Sequence, residues 1–93
     1  MPIRSFRCAD TEALFKGRRI KWLVNIEAVA MRKLAILNRA ETLNDLRIPP
    51  GNRLEALKGD KSGLFSIRVN DQFRICFVWT ALGPEEVEIL DYH

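Results

Sequence analysis

The longest periodic pattern of apolar residues in the chain runs from Trp22 to Arg39. Its apolar positions, three or four residues apart, are Leu23, Ile26, Ala30, Leu34 and Leu37, and the opposite face holds Asn25, Arg32 and Arg39. Because an α-helix turns once in about 3.6 residues, this spacing predicts an amphipathic helix. A shorter helix is predicted before it over "TEALFK" (11–16), which Asp10 can cap and Gly17 can end.

The stretch "NRLEALKG" (52–59) follows a Pro-Pro-Gly break and carries its own helix signals. Asn52 is a suitable N-cap, Glu55 stands three residues later as in a capping box, and Gly59 stands at the end. Lys58 falls in the last turn, where the helix dipole favours a cation. The pattern therefore predicts one or two helical turns here.

Alternating apolar and polar residues predict strands elsewhere in the chain. One such run opens the sequence at 2–8, and three more follow in succession at 64–69, 73–80 and 86–92. The last three are expected to form an antiparallel meander. The expected fold class is α+β, with a small, largely antiparallel sheet packed on two N-terminal helices and its other face open.

The apolar residues also predict the register of the first hairpin. Directly opposed residues share a face of the sheet, so apolar sets must oppose each other. A three-residue turn at 70–72 achieves this, because it pairs Ile67 with Ile75. The same register sets Arg68 directly opposite Arg74 on the open face.

The second hairpin, around "ALGPEE" (81–86), is subject to the same test. Pairing Phe77 with Ile89 keeps its apolar face intact. On the other face this register sets Arg74 opposite Tyr92. The open face is thus expected to carry a row of Arg68, Arg74 and Tyr92.

Two arginines placed directly opposite each other repel, so some partner should offset their charge. One interpretation is that the side chains diverge into water or pair with Asp71 or a C-terminal carboxylate. The other is an anion held between them, because the planar guanidinium suits phosphate oxygens. Tyr92 beside them could stack on a base or transfer a proton.

His93, the single histidine of the chain, also has two interpretations. It is either a frayed terminal residue or a general acid–base near neutral pH. Alternation places Asp91 and His93 on the helix-covered face, opposite Tyr92. His93 can join the arginines only if the end of the strand twists or lies at the sheet edge.

The length of 93 residues allows one domain, 1–93, with a single core. All 15 Lys and Arg residues lie within residues 1–74, and the last 19 residues contain four acidic residues and no Lys or Arg. This uneven charge fits either a solvated surface or a polyanionic partner such as nucleic acid.

No apolar run approaches the length of a membrane span, and the N-terminus lacks a secretory signal. Cys8 and Cys76 lie far apart without metal-ligand spacing, which favours two reduced thiols over a disulfide. A cytoplasmic protein without a membrane partner is expected. No cluster of carboxylates, His or Cys predicts a metal site or a cofactor.

The segment "PPGNRLEALKGDKSGLFSIRVNDQFRICFVWT" and the closing "VEILDYH" resemble the HigB branch of the RelE/ParE toxin superfamily, the plasmid maintenance killer proteins. The resemblance covers nearly the whole chain. It implies a RelE-like, microbial-ribonuclease fold and endonucleolytic cleavage of mRNA on the ribosome, which inhibits translation. It also implies a helix-turn-helix antitoxin of the HigA type, through which alone the toxin would contact operator DNA.

The resemblance also assigns roles to individual residues. It implies functional roles for Arg74, Asp91, Tyr92, His93 and Lys58. With the register argument, the residues expected at the site are Arg74, Asp91, Tyr92, His93 and Glu55 as catalytic groups, and Arg68, Lys58 and Arg53 as contacts to RNA phosphates. Some members of the family have a catalytic histidine where this chain has Glu55. Glu55 could therefore act as a base, or it could cap its helix while another group takes over.

The expected chemistry is attack of the RNA 2′-OH on the adjacent phosphate without a metal, with cations stabilising the charge that develops. A different class of function is also open. A small basic protein with exposed arginines on a sheet could bind RNA or the ribosome without cleaving it, and a toxin of weakened activity would look similar.

Overall fold

The computed structural model of the protein describes residues 1–59 and 63–91. Its regular elements are α1 (Ala9–Phe15), α2 (Glu27–Arg39), β1 (Glu55–Ala56), β2 (Leu64–Arg68), β3 (Phe73–Thr80) and β4 (Gly83–Asp91), with 3₁₀ helices at Lys21–Ile26, Leu43–Arg47 and Pro50–Asn52. The four strands form one antiparallel sheet in the order β1-β2-β3-β4. The predicted α+β class is confirmed. No helix within these ranges is long and apolar enough to cross a membrane.

The apolar face of α2 forms one side of the core, as its spacing predicts. All five predicted apolar positions are buried, whereas Asn25, Arg32 and Arg39 are exposed. The five buried apolar residues form one cluster with the sheet residues Ile67, Ile75, Phe77, Val87 and Ile89. The predicted single helix is divided, because its first turns, Lys21–Ile26, are 3₁₀ and only Glu27–Arg39 is α-helical.

The first helix begins earlier than its sequence signals indicate. Cys8 occupies the N-cap of α1, so Asp10 lies in the first turn and does not cap the helix. Its carboxylate instead accepts a hydrogen bond from Trp22 Nε1 at 2.7 Å. Gly17 follows the end of α1 at φ 91°, which confirms its predicted role because residues other than glycine are strained there.

The predicted first strand, 2–8, is not a regular strand. It contributes one isolated parallel bridge, Phe6 with Val87. The segment nevertheless lies along the outer edge of β4, where Arg4 N donates to Pro84 O at 2.7 Å and Val87 N donates to Ser5 O at 3.1 Å. It therefore covers an edge that would otherwise present unpaired backbone groups.

The helix predicted at 52–59 is wrong. Its centre is β1, whose residues Glu55 and Ala56 pair with Ser66 and Phe65 of β2. A helix of this length is marginal, whereas the edge of β2 offers backbone partners directly. The capping box that does form lies upstream, between Thr42 and Asp45.

The first hairpin has the predicted register. Ile67 pairs with Ile75, and Arg68 pairs with Arg74. The turn is closed by Asn70, whose Oδ1 accepts hydrogen bonds from the backbone N–H groups of Gln72 at 2.9 Å and Phe73 at 2.7 Å. The apolar pattern was sufficient here because a slip by one residue would have turned the apolar side chains of one of the two strands towards solvent.

The second hairpin differs from its prediction by two residues. Thr80 pairs with Gly83 across a tight two-residue turn, and a one-residue shift further along the strands then sets Arg74 opposite Leu90 and not Tyr92. The register shifts opposite Phe77, where Glu86 adopts φ 56°. This bulge adds one residue to β4 and so turns Ile89 towards the core, where without it Glu88 would face inward.

Candidate functional site

Arg74 is the most constrained of the predicted site residues. Its Nε donates to Ser66 Oγ at 2.7 Å, and its Nη2 donates to the Arg53 carbonyl at 2.6 Å and to the Ser66 carbonyl at 3.4 Å. Its Nη1 lies 3.6 Å from Glu55 Oε1, and only 11% of the side chain is exposed. The guanidinium thus runs from β3 across β2 to β1.

Arg68 turns away from its cross-strand partner. Its Nη2 forms an ion pair and hydrogen bond with Asp71 in the turn between β2 and β3. The repulsion between the two arginines is therefore relieved by protein groups, Asp71 for Arg68 and Ser66, Arg53 and Glu55 for Arg74. Of the two interpretations drawn from the sequence, the pairing with Asp71 describes this state.

The face of the sheet that carries these arginines is not open at its centre. Ser66 and Cys76, which pair with each other across β2 and β3, are both buried. Ser66 is covered in part by the Arg74 side chain that it binds. Neither Cys8 nor Cys76 forms a disulfide, in agreement with the reduced thiols that were predicted.

The loop before β1 supplies a backbone acceptor for Arg74 that could not be predicted from the sequence. Arg53 adopts a left-handed conformation, φ 45° and ψ 57°, and its carbonyl accepts the hydrogen bond from Arg74. Its side chain is exposed, as are Glu55 and Lys58. Because no helix forms here, Lys58 does not close one and Glu55 does not cap one.

Asn52 and Lys33 stabilise this loop through hydrogen bonds. The fully buried Asn52 donates from Nδ2 to the carbonyls of Leu46 at 3.1 Å and Ile48 at 3.3 Å. Its Oδ1 accepts from Lys33 Nζ at 2.5 Å. Burial lowers the pKa of Lys33, and the positive charges of Arg32 and Arg68 lower it further.

The C-terminal candidates are described only in part. Asp91 is exposed, pairs with Phe73 across β3 and β4, and accepts a hydrogen bond from Gln72 Nε2 at 3.0 Å. Pairing with Phe73 places Asp91 on the face of the sheet that alternation predicted, but Asp91 is exposed there and not covered as expected. Tyr92 and His93 lie outside the described residues, so the acid–base roles implied for them stay predictions, whereas the predicted cross-strand partner of Arg74 is corrected from Tyr92 to Leu90.

Sequence reasoning missed Ser66, Asn52 and Lys33 as residues that shape the site. Ser66 could have been found by alternation, because it lies two residues from Arg68 on the same face. Asn52 was interpreted as a cap, and Lys33 carried no signal. No group of three or more His, Cys, Asp or Glu residues that could hold a metal occurs within residues 1–59 and 63–91.

This arrangement can bind an anion in one direction. Three N–H groups of Arg74 are fixed on neutral oxygens, which orient the guanidinium without neutralising its charge. Within residues 1–59 and 63–91, its Nη1 edge faces the carboxylate of Glu55, whose side chain is 58% exposed. A fixed, positively charged edge is suited to a phosphate oxygen.

Comparison with known proteins gives consistent relatives. The chain is 54% identical over 55 residues to Toxin HigB-1 of Vibrio cholerae serotype O1, a match covering 59% of this chain and 58% of that protein. It is 43% identical over 53 residues to an uncharacterized protein of Haemophilus influenzae, covering 57% and 52%. The matched part thus spans little more than half the length of these curated relatives.

The fold has a solved counterpart. The YoeB/ParE toxin from Agrobacterium tumefaciens superposes over 100% of both chains with a TM-score of 0.58 at 17% identity, a likeness of fold alone. The model of the HigB-like toxin family, described as the RelE-like toxin HigB of type II toxin–antitoxin systems, matches residues 10–93. Because this match covers most of the sequence, the chain belongs to the HigB family of RelE-like toxins of type II toxin–antitoxin systems.

Proposed function

We propose that the protein is a ribosome-dependent endoribonuclease that cleaves mRNA and thereby stops translation. Membership of the HigB family supports a toxin. The observation that carries the nuclease proposal is the Arg74 guanidinium, fixed by Ser66 and Arg53, whose Nη1 edge has only a weak contact with Glu55 among the described residues. A preorganised cation of this kind stabilises the negative charge that develops on the phosphate oxygens during phosphoryl transfer.

The proposed reaction uses the nucleophile that RNA itself provides. The 2′-oxygen forms a bond to the adjacent phosphorus and gives its proton to a base. The bond between phosphorus and the 5′-oxygen breaks, and an acid protonates that oxygen. The products are a 2′,3′-cyclic phosphate and a 5′-hydroxyl.

The residues of this chain take the following proposed parts. Arg74 holds the scissile phosphate, and Arg68, Arg53 and Lys58 contact phosphates around it. Tyr92 and His93 share the acid–base work, and Asp91 orients His93. Losing one such charge donor costs about 10²–10³ in rate, by analogy with oxyanion donors.

The proposed partners follow from the same family. A helix-turn-helix antitoxin of the HigA type inhibits the toxin and carries it to operator DNA, and the substrate is mRNA on the ribosome. The proposed place of action is the cytoplasm. The whole activity is proposed to reside in one domain, residues 1–93.

The test is to map new mRNA 5′ ends after the protein is expressed. Wild type is expected to generate them. Arg74→Ala, Tyr92→Phe and deletion of His93 should each remove them and restore growth, while Arg39→Ala, an equal charge change at an exposed position on α2, should not. A toxic Arg74→Ala variant that still cleaves mRNA would overturn the site assignment.

The competing function is a module that binds RNA or the ribosome without cutting. Such a protein would inhibit growth without producing new 5′ ends, and its RNA binding would weaken as salt competes for the phosphates. Growth inhibition without Arg74-dependent ends would therefore replace the nuclease by this binder.

A further inference from the structure

The Glu55–Arg74 contact differs from the other contacts of Arg74. An arginine has five N–H donors. Nε and Nη2 are held by three hydrogen bonds to neutral oxygens of Ser66 and Arg53. Nη1 makes no hydrogen bond to any residue that the structure describes, and Glu55 Oε1 stands 3.6 Å away. The charge of Arg74 is thus balanced by one carboxylate beyond hydrogen-bonding distance.

The hold on Glu55 is weak. Its side chain is 58% exposed, on a two-residue strand at the edge of the sheet. Water screens this exposed carboxylate, and it accepts no hydrogen bond from Arg74, so the pair is stabilised little. Exchange of this carboxylate for another anion therefore costs little.

Among the residues that the structure describes, the same carboxylate stands beside the one edge of the guanidinium that carries no hydrogen bond. Arg74 is 11% exposed, and its Nε and Nη2 sides are covered by Ser66 and by the backbone at Arg53. A phosphate that approaches Nη1 meets Glu55 first. Because both groups are negatively charged, the phosphate can bind Nη1 closely only if the carboxylate moves away.

We propose that Glu55 occupies in the isolated protein the place at Arg74 Nη1 that an RNA phosphate takes on binding, so that Glu55 is a built-in competitor of RNA. The inference rests on the proposed function, because it takes RNA as the anion that Arg74 binds. It assigns Glu55 a role different from that of a general base. Removing a base would slow cleavage without tightening the binding of RNA, whereas removing a competitor tightens binding.

The experiment measures the affinity of the full chain for a short RNA with 2′-O-methyl groups throughout, which cannot be cleaved. Glu55→Gln keeps the size of the side chain and removes its charge. It is expected to bind this RNA about two- to fivefold more tightly than wild type, the range expected for losing one ion pair whose carboxylate is exposed to water. Thermal unfolding of each variant confirms that it is folded.

The matched control is Glu86→Gln. Glu86 also pairs with an arginine, Arg7 Nε at 3.4 Å, but lies on β4, at the other end of the strand order. Any gain from the change in net charge alone should appear equally in both variants. A Glu55→Gln affinity equal to that of Glu86→Gln overturns the inference, as does a weaker affinity.

The gain must also depend on Arg74. In a double-mutant cycle, Glu55→Gln should add nothing beyond the control in an Arg74→Ala background. A gain that persists there overturns the inference, and so does a wild-type protein that fails to bind the RNA. If Glu55→Gln gives no gain in affinity while mRNA cleavage still depends on Arg74, the inference about Glu55 is overturned and the proposed nuclease activity stands. If the gain is found but no mRNA is cleaved, the inference stands and the proposed nuclease activity is overturned.

Discussion

Arg68 and Arg74 face each other directly across β2 and β3, and their guanidinium groups bind different partners. Arg68 pairs with Asp71 in the turn, while Arg74 extends over Ser66 to the Arg53 carbonyl. Like charges opposed in a sheet destabilise it, and this divergence relieves the cost. It also leaves Arg74 as an oriented cation with one edge for a ligand, on which the predictions for the site depend.

Ser66 is expected to act as a positioning residue for Arg74. Ser66→Ala removes the acceptor of the Nε–H bond, so the guanidinium loses its fixed plane, and mRNA cleavage should fall about tenfold or more because misplaced groups react slowly. Ser66→Thr keeps the hydroxyl and should recover most of the activity at a similar unfolding temperature. Equal activity of the alanine and threonine variants would contradict this role.

Arg53 is expected to act in two separable ways, through its carbonyl on Arg74 and through its side chain on RNA. Arg53→Gly keeps the carbonyl and suits the left-handed backbone, so stability should stay the same or rise by up to about 1 kcal/mol. RNA affinity should fall several-fold, with a salt slope lower by about one phosphate contact. Arg53→Lys is the control and should keep that slope.

Asn52 is expected to be the largest single contributor to the stability of the loop at 43–54. Asn52→Ala removes three hydrogen bonds and leaves the Leu46 carbonyl without its partner, which should cost about 2–4 kcal/mol in the free energy of unfolding by urea. Asn44→Ala, at an exposed position of the same loop, should cost far less. Equal losses in the two variants would exclude the bracing role.

Asp45 is expected to make stability depend on pH in the acid range. Backbone N–H groups of Glu41 and Thr42 donate to its carboxylate and lower its pKa below the ordinary value of 3.8. A carboxyl with a lowered folded pKa stabilises above the unfolded pKa, and this stability is lost as the pH falls through the folded value. Asp45→Asn should therefore be less stable than wild type at pH 7, by a margin that shrinks below about pH 4.

That margin can be followed by urea unfolding of both proteins across the acid range. Glu41→Gln serves as the control, because it changes a neighbouring exposed carboxylate and leaves the Thr42–Asp45 capping box intact. A difference between wild type and Asp45→Asn that does not change with pH would contradict the prediction.

Gly83 is expected to tolerate no side chain. It adopts φ +126°, and a Cβ there would lie 2.6 Å from the Pro2 carbonyl. Gly83→Ala should therefore destabilise the protein by about 2 kcal/mol or more, through backbone strain and loss of the contact between the N-terminal segment and β4. Gly51→Ala, where a Cβ meets nothing within 4 Å, should be close to neutral in the same unfolding assay.

The parts of the fold that were predictable are those where one apolar face had one place to go. The buried positions of α2 and the pairing of Ile67 with Ile75 both follow from the spacing of apolar residues. The stretch around Glu55 could not be predicted in this way, because its helix signals are local and the edge of β2 that recruits it is distant in the chain.

The candidate site also has parts that were predictable from the sequence and parts that were not. Alternation placed Arg68 and Arg74 opposite each other, and the family resemblance supplied the roles of Asp91, Tyr92 and His93. The register that would have set Tyr92 opposite Arg74 failed, because the bulge at Glu86 and the tight turn at Thr80–Gly83 move β4 by two residues. A bulge is a backbone adjustment that restores inward packing, and the apolar pattern records only the result.

The sequence by itself determined the α+β class, the face of α2 that is buried, the register of the first hairpin and the family. Only the tertiary structure decided that Arg74 is held by Ser66, by a backbone carbonyl of Arg53 and by Glu55. The physical reason is that burial repeats with the period of a helix or strand and so leaves a pattern in the sequence. The hydrogen-bond acceptors of a guanidinium depend on distances and angles in three dimensions, and these leave no periodic pattern in the sequence.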